Sequence, residues 1–397
     1  MPRFEPFVGL RYDPTLVHLD QVIAPPYDII EPVERSHLAS RHAANAVHVE
    51  LPEADLRAGI DRYLVAAQLF AGWQAEGTLR ADPAPAFYPY RMITPDGVSS
   101  TGVIGALGID EEGGDVLPHE ETLPKPKSDR YDLLSATRAN LSPIWGLSLA
   151  DGVSEALAPS GPPAIDVLDD DGVRHQLWVL DDPAAVAAVS RAVEAAPVVV
   201  ADGHHRYDTA RKFRRDQREA LGDAPADHDL IMALIVELSE DQLTVGPIHR
   251  AISGLAPDTD LPAVFARIFD VVRAGDSSDR VVSALGESQS LALITADDAY
   301  MLLPRPGAAD AIGSDLDSSL VSAALEALPE HESVHKHTWP EALESLHNGD
   351  AQAVVLLRPV TVAQISEWAA ARRRMPPKTT YFSPKPRTGM VFRTLGP

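Results

Sequence analysis

The five residues Asp202-Gly203-His204-His205-Arg206 place a carboxylate, a glycine, two imidazoles and a guanidinium at one point of the chain. They follow Pro197-Val198-Val199-Val200-Ala201, a β-branched run without alternation, which predicts a strand buried on both faces. From the motif a helix is predicted to run through about Glu219. A helix start leaves backbone N–H groups without intrahelical partners and carries a partial positive charge. Gly203 would let a ligand approach that backbone. His204, His205 and Arg206 add side-chain donors, the arginine as a two-donor fork. Together these features predict an anion site, with Gly203, His204, His205 and Arg206 as phosphate or nucleotide ligands. His204 and Asp202 are the catalytic candidates, Asp202 as the group that orients a histidine. The bland reading is an Asp-Gly turn followed by two surface or supporting histidines. Adjacent helical histidines point in different directions, unlike an i, i+4 pair, so metal ligation is the weaker expectation and no metal is assigned.

A second cluster runs from Pro118 to Arg130 and contains His119, Glu120, Glu121, Lys125, Lys127 and Arg130. Phosphoryl transfer needs a carboxylate to accept a hydroxyl proton or hold Mg²⁺, and cations to offset charge on the transferred group. Glu120 or Glu121 is the candidate for the first task. Lys125, Lys127 and Arg130 are candidates for the second. A solvated polar loop would have the same composition. Tyr27 and Asp28, in Ala24-Pro25-Pro26-Tyr27-Asp28, are secondary candidates, as are His119, His249, Arg250, Lys378 and Lys385.

These groups need a scaffold, and 397 residues are too many for one small core. Strands are predicted at 47–51, 86–92, 101–109, 176–180, 198–201, 230–238, 291–294, 300–303 and 353–357. Helices are predicted at 55–76, 131–140, 183–195, 261–271, 318–327, 339–348 and 362–373, with 151–175 as a flexible surface stretch. This mixture predicts a mixed α/β (α+β) protein of two lobes, divided as 1–196 and 197–397. The net charge is −24, from 58 acidic and 34 basic residues, which disfavours nucleic-acid and membrane-surface partners. The absence of cysteine excludes disulfides, thiolate metal sites and cysteine nucleophiles. No signal peptide or membrane-spanning run is read from the sequence, so the expected location is the cytoplasm.

Several blocks of the chain together resemble the bacterial and archaeal domain of unknown function 1015 family. They are Ala24 to Asp28, Asn45 to Pro52, His119 to Pro124, Asp129 to Pro143, Ala201 to Tyr207, His249-Arg250 and Pro376 to Gly389. That resemblance implies membership but no activity. Gly203-His204-His205-Arg206-Tyr207 is also similar to the phosphate-binding helix start of the sulfiredoxin and ParB-like superfamily, which includes a free-serine kinase. This implies a sulfiredoxin/ParB-like strand–helix unit embedded in the larger protein. Sulfiredoxin chemistry is excluded, because its catalytic cysteine position is His204 here. The surviving expectation is a phosphotransferase or related phosphate-ester enzyme acting on a small metabolite such as serine or phosphoserine. Its expected cofactor is ATP, ADP or CTP with Mg²⁺. The alternatives are a non-catalytic nucleotide sensor and a metal-dependent hydrolase. The enzyme reading further expects His119, Glu120, Lys125 and Arg130 to share a cleft with His204, His205 and Arg206.

Overall fold

The computed structural model describes residues 1–111, 113–120, 128–157, 161–275, 290–328 and 330–396. Two compact units are present. The first comprises Met1–Thr244, Ala369–Arg372 and Pro384–Pro397; the second comprises Val245–Trp368 and Arg373–Ser383. The boundary expected at 196/197 falls inside the first unit. The physical reason is strand pairing, since Val198–Asp202 lies parallel to Val116–Pro118 and antiparallel to Ile144–Ser148.

The first unit is built on a nine-stranded mixed sheet. Its order is Val116–Pro118, Val198–Asp202, Ile144–Ser148, Leu230–Glu237, Ser99–Gly108, Tyr88–Ile93, Arg174–Leu177 and Ile165–Leu168, with Phe4–Glu5 beside Ser99–Gly108. Val198, Val199 and Val200 are at most 1% exposed, as a strand flanked on both sides requires. A four-stranded sheet joins Leu79–Ala81, Gly9–Tyr12, Phe392–Thr394 and Ala139–Asn140. It shares a core with the helix Arg62–Ala75, through Tyr12, Phe70, Trp73 and Phe392. Asp61 caps that helix by accepting from the Tyr63 amide.

The second unit carries a six-stranded antiparallel sheet, ordered Phe269–Gly275, Ala299–Pro304, Leu291–Thr295, Ala353–Leu356, His249–Ser253 and Glu332–Lys336. Helices Asp317–Leu325 and Trp339–His347 bury apolar faces against it.

Three local expectations need correction. Val47–Glu50 is a helical turn rather than a strand. Asn45 accepts from the Val47 amide and donates to the Gln21 carbonyl, so it starts the turn where alternation alone suggested extension. The helix from Leu261 stops at Phe265, and the β-branched Val271 and Val272 lie in the strand Phe269–Gly275. The stretch 151–175 contains a short helix, Val153–Ala156, and the first strand of the hairpin Ile165–Leu168/Arg174–Leu177. Asp169 accepts from the Val173 amide and Gly172 takes φ 73°, which closes the hairpin turn.

Candidate functional site

Strand register brings the two charged sequence blocks together. Val116–Pro118 runs parallel to Val198–Asp202 with Pro118 opposite Val200, so the residue after that strand, His119, arrives at the strand end that carries the motif. The His119 Nδ1 donates to the Val200 carbonyl at 2.7 Å, which directs Nε2 to Glu120 Oε1 at 3.2 Å. The His119 and His204 rings lie 5.0 Å apart. His204 is pushed down to about 3, first by burial and then by His119, so it is neutral at pH 7. Its Nε2 is buried and has no hydrogen-bond partner among the described residues.

The helix His204–Leu221 begins directly after Gly203, which takes φ 88° and ψ 26° and offers no side-chain cap. A Cβ at Gly203 would lie 2.9 Å from Ile144 Cγ2 and 3.1 Å from Arg206 Nε. The left-handed turn and the contact with Ile144 therefore require a glycine here on their own. Tyr207 anchors the same helical turn by accepting from the Asp110 amide at 2.9 Å.

Asp202 organises the cations. Its Oδ1 accepts from Lys385 Nζ at 2.8 Å and its Oδ2 from Arg206 at 3.1 Å. Burial opposes ionisation of Asp202, but Lys385 and Arg206 outweigh it and hold the carboxyl well below the usual carboxylate range. Arg206 was expected to grip phosphate with its fork. In this structure it also donates to Ser142 Oγ at 3.0 Å and to the Pro143 carbonyl at 2.6 Å, while its buried Nε has no hydrogen-bond partner among the described residues. Both terminal nitrogens are thus engaged by protein acceptors, and in this structure Arg206 braces the motif. The expectation for Asp202 shifts likewise, from orienting a histidine to pairing two cations.

Arg130 lies in the helix Ser128–Thr137 and donates to the Glu50 carbonyl at 2.9 Å and to Asp129 at 2.8 Å. Its guanidinium sits 4.2 Å from the Tyr27 ring centre, and that of Arg206 sits 5.8 Å from it. Asp28, next in sequence, is exposed. The Ala24–Thr388 bridge fixes this segment beside the chain that carries Lys385. Arg387 secures that chain through Asp169 and Asp171.

Tyr27, His119, Glu120, Arg130, Asp202, Gly203, His204, Arg206 and Lys385 therefore belong to one connected neighbourhood of the first unit. His205 is half-buried in the same helical turn. Glu121, Lys125 and Lys127 lie outside the described residues. His249, Arg250 and Lys378 belong to the second unit. There Arg250 donates to the carbonyls of Ile248 and Lys378, and His249 Nδ1 accepts from the Leu357 amide, so these groups hold local backbone. Sequence reasoning missed Glu50 and Ser142: the Glu50 carbonyl accepts from Arg130, Ser142 Oγ accepts from Arg206, and Ser142 donates to the Glu50 carboxylate. The available signal was a carboxylate among Val47, Val49 and Leu51. Among the described residues no group of three or more His, Asp or Glu is arranged to hold a metal. No described helix is long and apolar enough to cross a membrane.

Comparison with known structures gives distant likenesses. A conserved hypothetical protein from Pyrococcus furiosus is 15% identical with a TM-score of 0.38, over 73% of this chain and 93% of that one. A free serine kinase in complex with AMP is 13% identical with a TM-score of 0.41, over 74% and 91%. A C-terminally truncated SbnI from Staphylococcus aureus is 14% identical with a TM-score of 0.38, over 72% and 86%. No curated protein matches the sequence. The family model described as "Protein of unknown function (DUF1015)" matches residues 4–323, most of the chain, and the protein belongs to that family.

Proposed function

We propose that the chain is a cytoplasmic phosphotransferase that binds a nucleotide or phosphorylated metabolite at the first turn of the helix His204–Leu221. The observation that carries this reading is the meeting of an uncapped helix start with the His119–Glu120–His204 group. A helix start offers N–H groups and positive potential to phosphate, and Lys385 stands beside it, paired with Asp202. In the reaction, a hydroxyl oxygen of the acceptor attacks the terminal phosphorus of a nucleoside triphosphate. Its proton passes to Glu120 as the bond to the diphosphate breaks. Neutral His204 can donate or accept a hydrogen bond at the reacting oxygens. Lys385 offsets charge on the transferred group. Mg²⁺, when bound, supplies further charge neutralisation; with no closed cage among the described residues, Glu120 and the nucleotide phosphates would hold it jointly.

The test is melting and calorimetric titration with ATP, ADP and CTP, followed by turnover with serine and phosphoserine. At a hundredfold over its Kd a ligand adds about 2.7 kcal/mol of stability. Glu120→Gln is expected to retain nucleotide binding, with a smaller dependence on Mg²⁺, and to lose turnover. A nucleotide-sensing protein would bind equally well in both forms and turn over in neither. No stabilisation by any nucleotide or phosphorylated metabolite would overturn both readings.

A further inference from the structure

Tyr90 and His175 are both 0% exposed, and the proposed reaction uses neither. The strands Tyr88–Ile93 and Arg174–Leu177 pair with Tyr90 opposite Leu177 and Met92 opposite His175, so the two side chains are diagonal neighbours on one face. The Arg387 amide donates to the Tyr90 oxygen at 3.2 Å, and the Tyr90 hydroxyl donates to His175 Nδ1 at 2.7 Å. His175 therefore keeps its proton on Nε2 and donates it to Asp169 Oδ2 at 2.7 Å, where Arg387 Nε also donates at 2.7 Å. The hydrogen bonds form a closed ring that leaves Arg387 at its amide and returns at its guanidinium. Burial holds His175 below its ordinary value. Burial opposes ionisation of Asp169, but His175 and Arg387 outweigh it and bring the carboxyl down to about 2. A shift of any member would strand a buried donor or acceptor, so the ring favours one arrangement.

Lys385 lies two residues before Arg387. The described residues 385–387 lie in neither a strand nor a helix, so no ladder places them. Pro384 and Pro386 flank Lys385. Each fixes its own φ, and Pro386 favours extended backbone at Lys385, so the orientation of Arg387 reaches Lys385 with little slack. Lys385 Nζ meets Asp202 Oδ1 at 2.8 Å. We propose that Tyr90, His175 and Asp169 are positioning residues that act through Arg387 to set the place of Lys385 beside Asp202. Apolar side chains of similar volume would hold these strands at least as well, but would leave the Arg387 amide and guanidinium unplaced. The use of Lys385 for phosphate rests on the phosphate reading; its placement does not.

The test measures the coupling between Asp202 and Lys385 by urea unfolding of the full chain. Asp202→Asn, Lys385→Met and the double variant are compared with the unsubstituted protein, first alone and then each combined with Tyr90→Phe. The coupling is expected to change the unfolding equilibrium constant by at least about fivefold without Tyr90→Phe and by less than about twofold with it. A purely structural ring would lower the stability of all four proteins alike and leave the coupling unchanged. Pro386→Ala keeps the ring and loosens its link to Lys385, and it is expected to weaken the coupling even where Tyr90→Phe does not fold. Coupling undiminished by either substitution, or absent from the protein that carries neither, would overturn the proposal. ADP titration of the same samples tests the phosphate reading separately. A protein that binds no ADP overturns that reading, while the coupling alone decides the placement of Lys385.

Discussion

Replacing Asp202 by Asn removes the charge that lies between Lys385 and Arg206. The contacts are 2.8 and 3.1 Å, and the side chains are 19%, 10% and 11% exposed for Asp202, Lys385 and Arg206. At an effective dielectric of about 20, each contact is worth about 5 to 6 kcal/mol of attraction, most of which offsets the cost of removing three charges from water. Neutralising Asp202 removes the attraction and leaves two buried cations, so the first unit is expected to lose about 3–5 kcal/mol. Because Asp202 is held below its ordinary value, its contribution is present above the unfolded carboxyl range, about 3.9, and disappears as pH falls through the lower folded value. The penalty of Asp202→Asn is therefore expected in full at pH 5–8, shrinking only in stronger acid. The assay is urea unfolding at pH 7 of Asp202→Asn, Lys385→Met and the double variant. Removing Lys385 as well relieves the cation repulsion, so the double variant is expected to recover more than about 1 kcal/mol relative to the summed losses. Additive losses, within about 0.5 kcal/mol, would refute the claim that Asp202 is the counter-charge holding Lys385 in the site.

Gly203→Ala is expected to destabilise by about 2–4 kcal/mol in thermal unfolding, combining a positive φ with a Cβ only 2.9 Å from Ile144. A variant as stable as the parent would show that the turn relaxes away from Ile144. His204, pushed down to about 3, binds its proton less readily folded than unfolded. Its contribution is therefore complete above about pH 6.5 and falls as pH drops towards 3, by up to about 1.4 kcal/mol per pH unit for one proton. His204→Gln is expected to flatten that slope in pH-dependent unfolding between pH 6.5 and 5; an unchanged slope would place the titration elsewhere.

The strand–turn–helix around the motif was legible because each signal there is local. Four apolar residues precede Asp202, a glycine forms the turn, and amphipathic spacing follows in a helix that buries Tyr207, Ala210 and Phe213. The convergence of His119 with His204 was legible only as a chemical expectation. What brings it about is the pairing of Pro118 with Val200, a register that neither segment encodes alone. The role of Arg206 was not legible. The acceptors that occupy its fork, Ser142 and Pro143, come from over sixty residues earlier in the chain and reach it only through the Ile144–Ser148 strand. Glu50 was hidden for a different reason. Val47 and Val49 alternate with His48 and Glu50 as a strand would, yet Asn45 turns them into a helix that buries the carboxylate.

That same tertiary pairing bears on the proposed phosphate site. In a chain of net charge −24, the described cations nearest the motif already have carboxylate partners: Lys385 and Arg206 on Asp202, and Arg130 on Asp129. A phosphate arriving there competes with those carboxylates for the side-chain donors, so the helix start supplies the less contested part of its binding. Glu120 adds a further negative charge at the same turn. A divalent cation, if bound, would be held by Glu120 and the phosphates and would offset this repulsion. ADP is therefore expected to bind more tightly with Mg²⁺ than with EDTA in calorimetric titration, and Glu120→Gln is expected to narrow the gap. Equal affinity with and without Mg²⁺ would mean that Lys385 and the helix start hold the phosphates unaided, and that Glu120 serves the proton alone.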